Sequence, residues 1–460
     1  MSHLDGELVA AGTGAELLAR GAATGAGRAV IDSRSIAEGD IFFGLPGERH
    51  DGGQFALEAM RAGAWGIVAG PQWVREIVEM RGRGAHEFEA WAFASDDPLA
   101  ALQGLARHWR RALGCAVIGV TGSTGKTSVK DLCRGLLPAR VHASPENFNT
   151  EIGLPLAILA APEGTEALVL EMGMRGAGQI AELCAIAEPD VGVVTNIGPV
   201  HVELLGSVDA VAAAKAEIVH DLREGGTAVV PAVAGPLEPH LAGVHGLLRF
   251  GDGGDVYASE STVHGEESET LVVTPAGEQR FRFPFTSAHQ LDNALAAIAA
   301  GVALGMALDE MAERAPGITF SRLRGELVRL PGDATLINDC YNANPVSMRA
   351  ALDHLSALET PGRRVAVLGD MLELGPDAAG YHREVGEHAR EVGVDHLIGV
   401  GDLAAGYAPD EHVPDAAAAA DALHRALGPG DAVLVKGSRA IGLELVAERL
   451  EGGEAAAGAG

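Results

Sequence analysis

Gly119-Val120-Thr121-Gly122-Ser123-Thr124-Gly125-Lys126-Thr127-Ser128 follows a short apolar run, residues 115–120, and precedes a helical pattern. An apolar run closed by glycine reads as an inner strand. A glycine-rich turn between strand and helix points successive backbone N–H groups at one place, where the helix also presents the positive end of its dipole. Such a turn cradles phosphate. Lys126 offers countercharge to β- and γ-phosphates, and the Thr127 hydroxyl is a ligand for Mg²⁺. The strict pattern has glycine where this chain has Val120, so the loop is a variant with glycines at 119, 122 and 125. A plain glycine-rich turn is the bland alternative; the strand–loop–helix setting favours a nucleotide. Gly122, Ser123, Thr124, Gly125, Lys126, Thr127 and Ser128 are the candidate ATP contacts.

Outward from this loop, strands and helices alternate. Residues 167–170, 191–195 and 228–230 have the unbroken apolar character of parallel strands, with helical stretches between, which implies a doubly wound α/β domain. Residues 98–113 form an amphipathic pattern with Pro98 in its first turn. Residues 247–285 break the rhythm with short alternating strands at 269–274 and 279–285, an antiparallel annex, and a helix over 289–304 follows. Before the loop, residues 1–97 show strand-like runs at 29–31, 41–45 and 66–69, one helix-like stretch at 55–62, and a polar loop at 80–88. After Pro316 a third unit has strands at 335–338, 365–368, 396–400 and 432–435. At ~100–200 residues per domain, 460 residues make two to four units. Three fit: 1–97, 98–318 and 319–450, with a disordered tail at 451–460 that lacks apolar side chains.

Lys and Arg number 34 against 63 Asp and Glu, a net charge of −29. That balance argues against nucleic acid, which requires a basic footprint, and against an anionic membrane surface. An anionic substrate would need a local basic island. No apolar run reaches the ~20 residues of a membrane span. The first ten residues show no basic region leading into an apolar one. Cys115, Cys133, Cys184 and Cys340 are scattered without metal-ligand spacing. Together these features lead to the expectation of a cytoplasmic protein with reduced thiols and neither disulfide framework nor zinc.

Open α/β sheets bind ligands at strand ends. Glu171 follows one strand, Thr195-Asn196-Ile197-Gly198 ends the next, His201 lies just beyond, and Lys215 sits in an alanine-rich helical run. Singly, these read as a solvated carboxylate, a loop histidine and an exposed helix lysine. In this order behind the phosphate loop they resemble the Mur ligase superfamily, and within it the MurF type. The resemblance runs through NFNTEIGLPL (147–156), EMGMRGAGQI (171–180), TNIGPVHVELLGS (195–207), DCYNANPVSM (339–348), GDMLELG (369–375) and VKGSR (435–439). The YNANP stretch is what separates the MurF type from its relatives.

The resemblance implies three α/β domains: an N-terminal UDP-binding domain, a central doubly wound P-loop-type ATPase domain and a Rossmann-like C-terminal domain. It implies an ATP-dependent amide ligase of peptidoglycan precursor synthesis that adds D-alanyl-D-alanine to UDP-N-acetylmuramoyl-tripeptide through an acyl phosphate. Cofactors would be ATP and two Mg²⁺ ions, with Thr127, Glu171 and His201 as ligands and Lys215 as a carbamate. His289 and Asn293 would face adenine. Arg324 would reach the γ-phosphate, with Arg322 as its rival, and Asp339 and Asn342, with Asn344, would face the nucleotide on closure. Asn338 and Cys340 depart from the frequent D-D-S-Y pattern. Asp32, Ser33, Arg34 and Asp51 would hold the UDP end, although the usual D-G-H here reads Asp51-Gly52-Gly53. Asn149, Thr150, Lys436 and Arg439 would contact substrate, and Ser438 is a further candidate. Asp370 and Glu373 fit a domain-interface loop as well as a catalytic one. A monomer with small-molecule partners is expected. The rivals are a ligase adding one amino acid, of the MurE or folylpolyglutamate type, and a nucleotide-gated regulatory NTPase.

Overall fold

Four sheets organise the chain in the computed structural model, which describes residues 4–22, 27–82, 90–145 and 147–457. The central sheet is wholly parallel, in the order Leu247–Phe250, Thr227–Pro231, Val191–Val194, Ala116–Thr121, Ala167–Glu171, Val141–Ala143. Its inner strands are apolar at nearly every position because helices bury both faces. Helices Pro98–Leu113, Gln179–Ala187 and Val208–His220 share one core with the sheet. Lys126–Leu136 and Ala288–Ala303 belong to the other. The α/β class and the doubly wound centre expected from the sequence are what the chain forms.

The first sheet runs Glu16–Ala19, Trp91–Ala94, Gly66–Ala69, Ile41–Phe43, Ala29–Val30, parallel except for the edge strand Glu16–Ala19. It packs onto the central unit through helix Pro98–Leu113. Helix Gly6–Thr13 approaches so closely there that a Cβ on Gly104 would lie 2.7 Å from the Gly12 carbonyl oxygen. The sequence reading missed that helix, which Asp5 caps by accepting from the Glu7 and Leu8 amides. It also missed the strands Glu16–Ala19 and Trp91–Ala94, each only four residues long. The loop expected at 80–88 is corrected at its start. Helix Pro71–Gly82 runs through residues 80–82, its Val74 and Ile77 buried at helical spacing; residues 83–89 lie outside the described ones.

The annex is a three-stranded antiparallel sheet, Tyr257–His264, Glu267–Thr274 and Gly277–Phe283, whose Phe281 and Phe283 stack and complete the second central core. The C-terminal sheet has the order Glu326–Arg329, Thr335–Asn338, Ala432–Lys436, Arg364–Gly369, His396–Val400, Glu411–Val413, parallel after its antiparallel first strand. The last helix, Glu444–Ala457, takes in most of the tail that was expected to be disordered; alanine and glutamate are good helix formers. No helix among the described residues is long and apolar enough to cross a membrane.

Candidate active site

A cavity of about 1130 Å³ opens where the central parallel strands end, and residues of the C-terminal unit form its far wall. Its floor is the loop after Ala116–Thr121. Gly122 has φ +147° and Gly125 φ +77°. A Cβ on Gly122 would fall 1.8 Å from Thr195 Oγ1, and one on Gly125 would fall 2.4 Å from Asn293 Oδ1. Both positions therefore require glycine. Gly119 does not belong with them: it lies inside the strand, where it makes room for Met172. Val120, where the strict motif has glycine, is fully buried in the same strand.

Asn196 clamps this loop. Its Oδ1 accepts the Thr124 amide at 2.9 Å and its backbone oxygen the Ser123 amide at 3.0 Å, while Ser123 Oγ accepts from the Gly198 amide. The amides of Ser123 and Thr124 are thus engaged within the protein. Residues 125–128 also line the cavity, at the end of helix Lys126–Leu136 where amides have no acceptor within the helix. The sequence reading noted Asn196 without a role; its place directly after a strand was the available signal.

Two lysines meet over the loop. Lys126 Nζ donates to the Gly122 carbonyl oxygen at 2.8 Å, and Lys215 Nζ donates to the same atom at 2.9 Å. Lys215 is 2% exposed, so it is no surface helix lysine. Burial holds its pKa well below the ordinary lysine value, and the Lys126 charge lowers it further against the opposing pull of Glu171. Burial lowers Lys126 as well, with Glu171 opposing and Arg324 adding to the fall.

Glu171 is likewise buried rather than solvated. Its Oε2 accepts the Thr127 hydroxyl at 2.7 Å and its Oε1 the Asn149 amide group at 2.8 Å. Asn149, expected on substrate, therefore orients this carboxylate; Thr150, beside it on the cavity wall, accepts the Gly153 amide. Hydroxyl and carboxylate side by side next to a phosphate loop suit Mg²⁺, which takes one or two protein oxygens and completes its shell with phosphate and water. An unmodified Lys215 adds no anionic ligand. Among the described residues no group of three or more His, Cys, Asp or Glu could cage an ion without the nucleotide.

His201 stands at the mouth of the cavity with φ +53°, its Nδ1 2.5 Å from Glu373 Oε2 of the C-terminal unit. Burial lowers its pKa and Glu373 opposes that fall. On the other side, helix Ala288–Ala303 presents His289, Gln290 and Asn293, with Asn293 Nδ2 donating to Gln290 Oε1 at 3.0 Å. Gln290 was not anticipated, although its i, i+3 spacing from Asn293 places both on one helix face. Burial pushes His289 down to about 4; Asp339 opposes, and His354 and Lys436 add to the fall.

The far wall settles which arginine enters. Arg324 lines the cavity with its guanidinium 3.9 Å from the centre of the Tyr341 ring, a cation–π contact, whereas Arg322 is exposed and outside it. Asn342 and Asp339 also line the cavity. Asn344 caps helix Pro345–Ala357 in a capping box with Ser347, so the Asn-Pro of the motif is a helix start. Lys436, expected on substrate, lines the cavity, but its ammonium reaches Asp339 Oδ2 at 2.6 Å, the Asn342 carbonyl at 3.0 Å and the Asp339 carbonyl at 3.3 Å, so its three donors are engaged within the C-terminal unit. Arg439 pairs with Glu444 outside the cavity, and Ser438 Oγ accepts the Leu372 amide.

The four residues expected at the UDP end sit apart from this cavity, on the first unit. Asp32 caps the turn Ser33–Ser35 and forms an exposed pair with Arg34, whose hydrogen bonds hold the carboxyl down to about 2. Asp51 accepts the Gly53 amide on one oxygen and, on the other, the Trp73 indole N–H at 2.6 Å and the Gln72 amide at 3.3 Å. A Cβ on Gly53 would lie 2.2 Å from Trp73 Cδ1, so the indole occupies the space a histidine of D-G-H would need.

Comparison with known proteins agrees with this layout. The family described as Mur ligase middle domain matches residues 120–301, and that described as Mur ligase, glutamate ligase domain matches 323–439. UDP-N-acetylmuramoyl-tripeptide–D-alanyl-D-alanine ligase of Bacillus subtilis (strain 168) is 36% identical over 433 residues, 91% of this chain and 92% of that protein. Among solved structures, MurF from Acinetobacter baumannii superposes with a TM-score of 0.83 at 27% identity, covering 97% of this chain and 98% of that one. MurF from Thermotoga maritima in complex with ADP gives 0.79 at 30% identity, covering 92% and 97%.

Proposed function

We propose roles for the parts of this cavity from the premise that the chain belongs to the Mur ligase family. It is a ligase of the MurF type, which joins D-alanyl-D-alanine to UDP-N-acetylmuramoyl-tripeptide in peptidoglycan precursor synthesis. The observation that carries the assignment of roles is the convergence of Lys126, Lys215 and the Thr127–Glu171 pair with Arg324 from the other unit.

ATP lies with its phosphates on residues 122–128 and its base against His289, Gln290 and Asn293. The γ-phosphoryl group passes to the peptide carboxylate, giving an acyl phosphate and ADP. The amine of D-alanyl-D-alanine then attacks the acyl carbon, and the tetrahedral adduct collapses to amide and phosphate. Carboxylate and γ-phosphate repel each other, so the first step is mainly a problem of countercharge and position. Lys126 and Arg324 supply that charge from opposite walls, a basic island in an otherwise acidic protein. Mg²⁺, when bound at Thr127 and Glu171, adds Lewis-acid stabilisation of the phosphate oxygens.

Lys215 fits carbamylation. Its depressed pKa favours the neutral amine, whose lone pair can attack CO₂ and release a proton. The product is an anion, which would turn repulsion of Lys126 into attraction and provide the oxygen ligand that the amine lacks, next to His201. The first unit, 1–97, holds the UDP end, 98–318 holds ATP, and 319–450 brings the amine.

Phosphate release measured with ATP, Mg²⁺ and UDP-N-acetylmuramoyl-tripeptide, with and without D-alanyl-D-alanine, tests this reading. Release that requires both is expected. Release indifferent to the dipeptide would point to a regulatory NTPase, and a single amino acid serving equally well would point to the one-residue ligases.

A further inference from the structure

The loop after strand Arg364–Gly369 is pinned on the C-terminal unit at several points. The Met371 amide donates to His382 Nε2 at 3.0 Å, the Leu372 amide to Ser438 Oγ at 3.0 Å, and Asp370 Oδ1 accepts the Ala404 amide at 2.7 Å. Met371 and Leu374 are buried on either side of residue 373. Glu373 itself has φ +61°, a left-handed backbone uncommon for a side chain with Cβ, and so turns out of the unit that anchors it. Gly375, two residues on, seats against the backbone of Glu203: a Cβ there would lie 3.4 Å from Glu203 Cα. His201, which receives Glu373, is also left-handed, at φ +53°. Two such residues meeting across two separately built units mark a contact that the surroundings enforce, and strain of this kind collects at functional sites.

We propose that Glu373 is a positioning residue for the ligase reaction, fixing the His201 imidazole only when the C-terminal unit is seated on the central one. Its carboxylate accepts the Nδ1 proton, so the free lone pair resides on Nε2. A histidine held this way by a carboxylate on its other nitrogen is oriented and made a better donor toward a cation. The same seating of the C-terminal unit that places Arg324 at the cavity thereby makes His201 ready beside the phosphates. The inference rests on the ligase reading for what the cation does, but the pairing can be tested without turnover.

Mn²⁺ binding by the full chain, saturated with a non-hydrolysable ATP analogue, is measured by electron paramagnetic resonance. Glu373→Ala is expected to weaken binding roughly tenfold or more, Glu373→Gln by less, and His201→Ala at least as much as Glu373→Ala. The double variant Glu373→Ala/His201→Ala should be no worse than His201→Ala alone, because Glu373 acts only through that ring. Wild-type affinity in Glu373→Ala, or losses that add in the double variant, would overturn the proposal. If Glu373→Ala fails to fold by circular dichroism, Glu373→Met, which keeps the length but removes the acceptor, decides: unchanged Mn²⁺ affinity there refutes the pairing. Absence of amide formation by the wild-type protein would instead remove the ligase reading and leave the Mn²⁺ result standing.

Discussion

Lys126 and Lys215 donate to one acceptor, the carbonyl oxygen of Gly122, at 2.8 and 2.9 Å. Two ammonium groups so close, one of them buried, are tolerable only if one is neutral, modified, or offset by an incoming polyanion.

Replacing Lys215 by alanine should therefore abolish most of the ligase activity, by roughly 100-fold or more, the scale for loss of one electrostatic group in a closed site. Acetate or another short carboxylate that can occupy the space of a carbamate should restore part of it. Lys215→Arg, permanently charged, should be inactive with or without the added acid. ADP formation at saturating substrates reads all three; full activity in Lys215→Ala would exclude the carbamate role.

Two glycines of the same motif should respond differently. Gly125→Ala combines an unfavourable φ with a collision at Asn293 Oδ1, so the KM for ATP should rise at least about tenfold. Gly119→Ala meets only the flexible end of Met172 and the Ile218 methyl group, a case of core overpacking. It should cost about 1–3 kcal/mol of unfolding free energy and leave the KM for ATP alone.

The sequence exposed the central sheet because strands buried on both faces must be apolar without interruption. It hid helix Gly6–Thr13, which is held by packing on Pro98–Leu113, and the short strands Glu16–Ala19 and Trp91–Ala94, too brief to show a period. At the site, the phosphate loop pointed to Lys126 and Thr127, whereas Glu171 alone read as a solvated carboxylate and gained a role only through the resemblance. The role of Asn196 was not legible, since it depends on Thr124 and Ser123 far away in sequence; Glu373 fitted a domain-interface loop, but its partner His201 was not foreseen. Lys436 shows the converse. A lysine ending a strand has the same spelling whether its ammonium is free or closed on Asp339.

Lys436→Met should consequently act as a stability variant. Removing one partner of a buried pair leaves the other uncompensated, at a cost of about 3–5 kcal/mol for a fully buried pair and less here, where Asp339 is partly exposed. Thermal unfolding should fall by several degrees, and adding Asp339→Asn should recover part of the loss. A selective rise in the KM for the peptide substrate, without a change in melting, would contradict the geometry.

His289 ties stability to pH. Its folded value lies near 4, against about 6.5 when exposed, so between those values only the unfolded chain binds the proton. Stability therefore falls as pH drops through this window and is unaffected above it. From pH 7 to pH 5 the contribution is roughly 2 kcal/mol. Urea unfolding of His289→Leu beside the wild type should show a correspondingly shallower loss; equal slopes would mean that the imidazole titrates normally.

Trp73, wedged over Gly53 with its indole N–H on Asp51, gives the protein an optical signal of its own. All four tryptophans, Trp65, Trp73, Trp91 and Trp109, fall within the first 113 residues. Tryptophan emission is thus confined to the first unit and the helix it leans on, and the C-terminal unit, whose emitters are Tyr341, Tyr381 and Tyr407, contributes none of it. Titrating the uridine-bearing substrate should shift the emission through Trp73, while a quencher or fluorophore would have to be placed on the C-terminal unit before its movement could be followed by light.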